Sequence, residues 1–231
     1  MRSILANPIY ERGYLSKKSL HDSINKFAPL ITGKLLDLGC GSKPHKLLFN
    51  NVNYMGLDTE NSAHNHIDSD ADIYYDGNNL PFLDNSFDSI ISFQVIEHIK
   101  DLNHTIKECK RILKNNGKLL LTAPLIWPEH EQPYDFRRWT RVGLINYLNA
   151  NGFRCIKVSS IGTAYDVIAE LILDRLWDNC NYNNQWAIRF LKIGTGIVNS
   201  AALMLNKIDK TALSENRASY LNNIIICEPK N

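Results

Sequence analysis

The chain reads as an α/β protein: a doubly wound, mainly parallel seven-stranded sheet with helices on both faces, plus a helical insertion between strands six and seven. Three observations predict this. Short apolar runs alternate with helix-spaced segments, an order that builds right-handed crossovers and a covered parallel sheet. The first run, KLLDLG, breaks into two glycines one residue apart, Gly39 and Gly41, before helical spacing resumes. Residues 163–220 interrupt the alternation with two long apolar helical patterns where a tight connection would suffice.

Each element has a local signal. SKKSLHDSINKFAPLI carries Ser16 as an N-cap and Leu20, Ile24 and Phe27 at helical intervals, until Pro29 and Gly33 break it. KLLDLG is a buried strand, and KPHKLLFN is expected to start the next helix. NYMGLDTE, ending at Glu60, is a second strand; ADIYYDGNNLPF is a third running into a turn; FDSIISFQVIEHI is a fourth. A helix opened by Asp101 and closed by Asn116–Gly117 leads to a fifth strand, GKLLLTAP. After a long loop a helix begins near Thr140 and stops at Gly152, FRCIKVSSIG is the sixth strand, and YLNNIIICEPK the seventh. The expected organisation is one domain over 1–231: an N-terminal lid and helix (1–33), a core (34–162), the insertion (163–220) and the last strand (221–231).

The 231 residues suffice for one sizeable core without disulfide staples. A net charge of +2 gives no electrostatic reason to expect nucleic acid. The five cysteines are scattered and never form a CxxC pair, which fits reduced thiols and provides no zinc framework, so no metal is expected. MRSILANPIYERGYL lacks the continuous apolar core of a signal peptide, and a cytoplasmic location is the expectation. IGTGIVNSAALML falls short of the roughly 18 apolar residues a bilayer span needs, and Thr195, Asn199 and Ser200 interrupt it.

In a doubly wound sheet, ligands sit at the carboxyl ends of the strands, and the first strand-to-helix turn is the usual cradle. Gly39 and Gly41 permit positive φ there and let a ligand approach the main chain. Asp58 ends the second strand 21 residues after Asp37, where a carboxylate can accept both hydroxyls of a ribose. A dinucleotide is disfavoured because GCGSKP places Pro44 where the third glycine of GxGxxG would lie. Asp37, beside the turn, suits a cationic ligand better than a phosphate.

These runs resemble class I S-adenosylmethionine-dependent methyltransferases, specifically the small-molecule branch of ubiquinone and menaquinone biosynthesis. LLDLGCGSKP is similar to the first motif, YMGLDTE to the second, DGNNLPFLDNSFDSIISFQVIEHIKD to the third and fourth, and LKNNGKLLLTAP to the fifth. The resemblance implies a Rossmann-like fold with S-adenosyl-L-methionine as cofactor. It implies Asp37, Gly39, Cys40 and Gly41 at the methionine end, Asp58 on the ribose, Asp76 toward the adenine amine and Gln94 flanking the methionyl group. Asp76 also reads as a turn residue before Gly77, and His98, which matches a family histidine, as a cap or packing residue.

PLIWPEHEQPYDFRRWTRVGL crowds His130, Glu131, Asp135, Arg137, Arg138 and Arg141 among aromatics in a loop at the carboxyl end of the sheet. It resembles an HExPxDxxRxT pattern in methyltransferases of bacterial surface-polysaccharide and lipid-linked glycan pathways. His130, Glu131 and Asp135 are the candidate catalytic set, a base for an acceptor hydroxyl being the working role. A metal site on the same three residues and a purely structural loop are the competing readings. Arg137 and Arg138 are candidate clamps for an anionic acceptor, and Tyr14, with Tyr10 and Arg12, for a lid.

In the insertion, Asp166, Glu170, Asp174 and Asp178 recur every four residues against a broad apolar face, and Trp186–Lys207 repeats the pattern with Arg189, Lys192, Asn199 and Lys207. Extra core is the plain expectation; a peripheral membrane contact, a groove for a lipid-linked acceptor or a homodimer contact are the sharper ones. Together these readings point to methyl transfer, at oxygen, to a small-molecule, sugar or lipid-linked acceptor. A nicotinamide oxidoreductase and a catalytically silent methyltransferase-like partner subunit are the alternatives.

Overall fold

A computed structural model describes residues 8–59, 69–209 and 218–230. Strands β1 (Gly33–Leu38), β2 (Val52–Thr59), β3 (Ile73–Tyr75), β4 (Phe87–Phe93), β5 (Leu113–Pro124), β6 (Phe153–Ile161) and β7 (Asn222–Pro229) form one sheet in the order β3-β2-β1-β4-β5-β7-β6. The pairs β1–β2, β1–β4, β2–β3 and β4–β5 are parallel. Adjacent residues in the central strands, Leu35 with Leu36 and Ile90 with Ile91, are all fully buried, so both faces of these strands are covered. Because chain order reverses at β1, the connections leaving β1 and β4 diverge and open a crevice above their carboxyl ends.

The helices are α1 (Tyr14–Phe27), α2 (Leu102–Ile112), α3 (Arg141–Ala150), α4 (Ala164–Asp178) and α5 (Gln185–Ile208). Asp101 caps α2 by accepting from His104 N at 3.1 Å, and Thr140 caps α3 by accepting from Gly143 N at 3.1 Å, as their positions before apolar runs predict. Ile106, Cys109 and Ile112 of α2 and Leu144 and Leu148 of α3 join Leu36, Ile90, Leu119 and Ile225 in the main core.

Four expectations are corrected. KPHKLLFN forms only a 3-10 turn, Lys46–Leu48, because Lys43 takes a left-handed φ of 54° and too little chain remains before Val52 for a packed helix. α1 starts at Tyr14, with Ser16 inside it rather than capping it. α2 ends at Ile112, and Asn116–Gly117 lies in a register break where Phe87 and Ser89 of β4 pair with Leu113 and Lys118. α5 has 24 residues and is long and apolar enough to cross a membrane by length and composition, although the polar interruptions had argued against a span. Glu60, at the expected end of the second strand, lies outside the described residues.

The chain divides into two compact units, 24–159 with 223–231 and 1–23 with 160–222. In the second, the acidic stripe of α4 is buried at Asp166 and Glu170 and reaches the surface at Asp178. Asp166 completes a capping box with Thr163 and accepts from Asn206 Nδ2 at 2.8 Å; Glu170 accepts from Ser16 N at 2.8 Å; Asp174 and Asp178 pair with Arg12. Thr195 and Asn199 of α5 are likewise buried, Thr195 accepting from Trp177 Nε1 at 3.0 Å and Asn199 donating to Ile9 O at 2.6 Å. Val167, Ala169, Leu173 and Trp177 of α4 and Ala202 of α5 are buried, while Ile168, Leu171, Ile172 and Leu176 of α4 and Trp186, Phe190, Ile193, Ile197, Met204 and Ile208 of α5 are exposed. The expected extra core is present as a small cluster of Leu15, Ala169 and Ala202, with Tyr165, Val198 and Leu203 packed against it.

Candidate functional site

The carboxyl ends of β1 to β4 surround a cavity of about 1170 Å³, walled by Gly39–Ser42, Asp58, Asp76, Gln94, His98, Glu131 and Tyr134 among others. It is large enough for a nucleoside-sized cofactor with an acceptor beside it, since pockets for small ligands span roughly 300–1,000 Å³.

The two glycines do different work. Gly39 turns at φ 73°, and a Cβ there would lie 2.6 Å from Val95, so glycine permits the close packing of β1 on the segment after β4. A Cβ on Gly41, at φ 48°, would meet nothing within 4 Å, which leaves its main chain open to the cavity. The turn is pinned by Gly39 N and Cys40 N, both donating to Leu57 O at 2.8 and 3.1 Å. Asp58 organises it from β2: Oδ2 accepts from Gly41 N at 3.0 Å and Ser69 Oγ at 3.2 Å, and Oδ1 accepts from Thr59 N at 2.9 Å.

Asp37 is buried and lies outside the cavity wall, with Tyr54 OH donating to it. Burial pushes its carboxyl up to about 7; the Tyr54 hydrogen bond opposes this and the Asp58 charge adds to it. Burial and the same two carboxylates push the Cys40 thiol up to about 12, so it is a neutral wall of the cavity. Asp76 is exposed on the rim, and its carboxylate accepts from Asn78 N and Nδ2, both at 2.9 Å, which lowers its pKa. Gln94 stands at a left-handed φ of 56° and donates from N and Nε2 to Thr122 Oγ1 at 3.1 and 2.9 Å. Non-glycine residues in that region gather where surrounding structure over-determines them, often at sites.

The long loop reaches the cavity through Glu131, also left-handed at φ 55°, and Tyr134. Glu131 Oε2 lies 3.4 Å from His98 Nε2, and the His98 ring meets His130 edge-on with centroids 4.8 Å apart. Asp135 is turned away from the cavity: Arg138 Nη2 and Nη1 grip it at 2.7 and 2.5 Å, and His130 N donates to it at 2.9 Å. The Arg138 bonds hold its carboxyl well below the usual range. Arg138 also donates to Trp127 O and Pro128 O, and Arg137 to the carbonyls of Ile96, Ile99 and Lys100. Both guanidinium groups therefore bind the protein's own main chain, Arg137 in the segment after β4 and Arg138 in its own loop. Tyr14 belongs to the helical unit and packs beside Leu15, Ala169 and Ala202.

Two groups escaped sequence reasoning. Glu97 is fully buried next to His98, with neither oxygen hydrogen-bonded among the described residues, and burial pushes its carboxyl up to about 8. Lys43 is buried, and its ammonium reaches Asp72 at 2.7 Å while Asp72 accepts from Gly56 N at 2.6 Å, which ties the turn after β1 to the segment before β3. A charged residue inside an apolar run, as in VIEHI, is the only trace of Glu97 in the sequence.

Residues 36–121 match a family model described as a methyltransferase domain. A probable S-adenosylmethionine-dependent methyltransferase of Mycobacterium tuberculosis is 42% identical over 45 residues, covering 20% of this chain and 16% of that protein. A ubiquinone/menaquinone biosynthesis C-methyltransferase of Pasteurella multocida is 26% identical over 111 residues, covering 46% of this chain and 41% of its own length. The chain thus spans less than half the length of these relatives. Among solved structures, Haemonchus contortus phosphoethanolamine N-methyltransferase 2, in complex with S-adenosyl-L-methionine, aligns over 99% of this chain and 55% of that one at TM-score 0.54 and 19% identity. The [4+2]-cyclase SpnF aligns over 97% of this chain and 86% of its own at TM-score 0.55 and 18% identity. At such identities the likeness is one of fold.

Proposed function

We propose that this chain, whose residues 36–121 match a methyltransferase-domain model, is a class I S-adenosylmethionine-dependent methyltransferase that binds S-adenosyl-L-methionine in the cavity over Gly41 and transfers its methyl group to an acceptor oxygen. The observation that carries the reading is the turn itself: a main chain left open at Gly41, directly bonded to a carboxylate at the tip of the next strand. Asp58 takes the ribose hydroxyls, the Gly39–Gly41 turn the methionyl end, and the Asp76 rim the adenine.

The reaction is an in-line displacement. The acceptor oxygen forms a bond to the methyl carbon, the carbon–sulfur bond breaks, and its electron pair stays on sulfur as a neutral sulfide. That leaving group needs no proton, so alignment in the cavity supplies most of the barrier lowering. The acceptor hydroxyl proton leaves toward Glu131 and His98, which stand on the wall with His130 behind them. Calorimetric titration tests the reading: S-adenosylmethionine should bind and NAD should not, and the reverse would favour an oxidoreductase. That a solved neighbour of the same fold is a [4+2]-cyclase makes transfer of a labelled methyl group the necessary companion assay.

The polarity of α4 and α5 supports a lipid-linked acceptor met at a membrane surface. Polar groups pair inside this helical unit while a continuous row of apolar side chains from Trp186 to Ile208 faces outward, an arrangement that lowers free energy against lipid rather than water. α5, at about 36 Å, compares with a hydrocarbon core of about 30 Å. Flotation with phospholipid vesicles should recover the chain, and Ile193→Glu with Ile197→Glu should release it. A concentration-dependent dimer without flotation would instead assign the face to a second copy.

A further inference from the structure

We infer that His98, His130 and Glu131 form a binding site for one divalent first-row transition-metal ion on the cavity wall, with the Glu97 carboxylate beside it. The three side chains each offer a ligand atom, and these atoms lie within 4.8 Å of one another. The pair in closest register, His98 Nε2 and Glu131 Oε2, is 3.4 Å apart. Two ligands each about 2.1 Å from a tetrahedral ion stand about 3.4 Å from one another. That spacing is already present.

Orientation is the second observation. His98 Nδ1 lies 3.0 Å from Tyr134 O, and His130 Nδ1 lies 3.2 Å from Pro128 O and 3.3 Å from Asp135 Oδ2. An Nδ1–H given to a carbonyl or carboxylate fixes the tautomer whose Nε2 donates an electron pair, which is how metal-bound imidazoles are held. His98 meets that condition through Tyr134 O, and at His130 Nδ1 two acceptors at 3.2 and 3.3 Å lie closer than the one donor, Arg138 Nη2 at 3.5 Å. Arg138, by gripping Asp135, in turn holds the carboxylate behind His130.

Glu97 supplies the third. It is fully buried, neither of its oxygens has a hydrogen-bond partner among the described residues, and Oε1 lies 3.9 Å from His98 Nε2. A buried carboxyl with both oxygens unpaired is costly, and a cation seated against His98 and Glu131 provides the missing partner. A simple His98–Glu131 ion pair would explain their contact but leaves Glu97 and the matched presentation of His130 without a cause. Two imidazoles with carboxylate oxygen suit zinc, iron, cobalt or manganese, whereas magnesium and calcium favour all-oxygen sites. An ion here would make an acceptor hydroxyl more acidic and would take the place of the direct base role of Glu131 and His98, whose electron pairs it would occupy; that role rests on the methyl-transfer reading, while the site does not.

The untagged chain, stripped with a chelator and desalted, is titrated with Co²⁺. One equivalent should bind with a visible d–d absorption, Zn²⁺ should displace it and a large excess of Mg²⁺ should not. His98→Ala and His130→Ala should each weaken Co²⁺ binding about tenfold or more. Absence of the absorption band from the wild-type chain, or unchanged affinity in both variants, overturns the site. Because a histidine variant can lose its fold, a rise in the wild-type unfolding midpoint with Zn²⁺ is the second expected readout, and no rise counts against the site. S-adenosylhomocysteine binding in chelator separates the two proposals: a chain that binds it but takes no Co²⁺ loses only the metal site, and a chain that takes Co²⁺ but not the nucleoside keeps the site and loses the cofactor reading.

Discussion

Asp58→Asn changes one oxygen to an amide at nearly constant volume, in the residue on which both the turn and the proposed ribose contact depend. The carboxylate accepts from Gly41 N, Ser69 Oγ and Thr59 N, and has capacity left for ligand hydroxyls facing the cavity. Hydrogen bonds to a charged group contribute about 1.5–3 kcal/mol each. The amide keeps one neutral acceptor, so about one such increment is lost, a roughly 10- to 150-fold weakening at 1.4 kcal/mol per factor of ten. Asp58→Ala loses both hydroxyl bonds and should weaken binding about 10²- to 10⁴-fold. The assay is calorimetry with S-adenosylhomocysteine, at a temperature where thermal unfolding shows each variant folded. A folded Asp58→Ala chain whose dissociation constant stays within about twofold of wild type would refute the assignment of Asp58, because losing even one charged bond should cost about tenfold or more.

Asp37 titrates near neutrality, with a folded pKa of about 7 against 3.8 for the free group. Since the folded state holds the proton more tightly, this group's stabilisation is complete below about pH 3.8 and is lost as pH rises through about 7, by about 4 kcal/mol at most. The apo chain should therefore melt lower at pH 8.5 than an Asp37→Asn variant does relative to pH 5.5. A cationic ligand favours the ionised form, so S-adenosylmethionine affinity should rise across the same window in wild type and stay flat in Asp37→Asn. Gly39→Ala should destabilise the fold by about 1–3 kcal/mol through the clash with Val95, whereas Gly41→Ala, facing open space but at a left-handed φ of 48°, should cost only about 1–2 kcal/mol of strain and lose ligand affinity; denaturant melts with calorimetry distinguish them. Glu131→Gln should lower the methyl-transfer rate about 10²- to 10⁴-fold while leaving S-adenosylhomocysteine affinity near wild type, read by single-turnover transfer of a labelled methyl group.

The parts of the site that were legible in the sequence are those encoded by contiguous residues. Gly39, Gly41 and Asp58 follow from a strand, a turn and the tip of the next strand, and parallel pairing of Asp37 with Gly56 brings them together without further folding information. The caps at Asp101 and Thr140 were legible for the same reason. Glu97 was not, because its burial beside His98 depends on a loop returning after β5 that no periodicity encodes. The roles of Arg137 and Arg138 depended likewise on which carbonyls, of the segment after β4 and of that loop itself, each guanidinium would meet. In α4 the four-residue spacing of acids revealed a stripe but carried no sign of which way it faces; the pairing of Asp166, Glu170 and Asp174 with Asn206, Ser16 and Arg12 decided it.

A crystal structure of the chain soaked with S-adenosylhomocysteine tests the central claim most directly. The ribose hydroxyls should lie within about 3 Å of the Asp58 carboxylate, the methionyl end against Gly39–Gly41, and the sulfur should face Glu131 and His98 across the vacated methyl position. A ligand bound elsewhere, or side chains filling the space above Gly41 with Asp58 turned from the nucleoside, would contradict it.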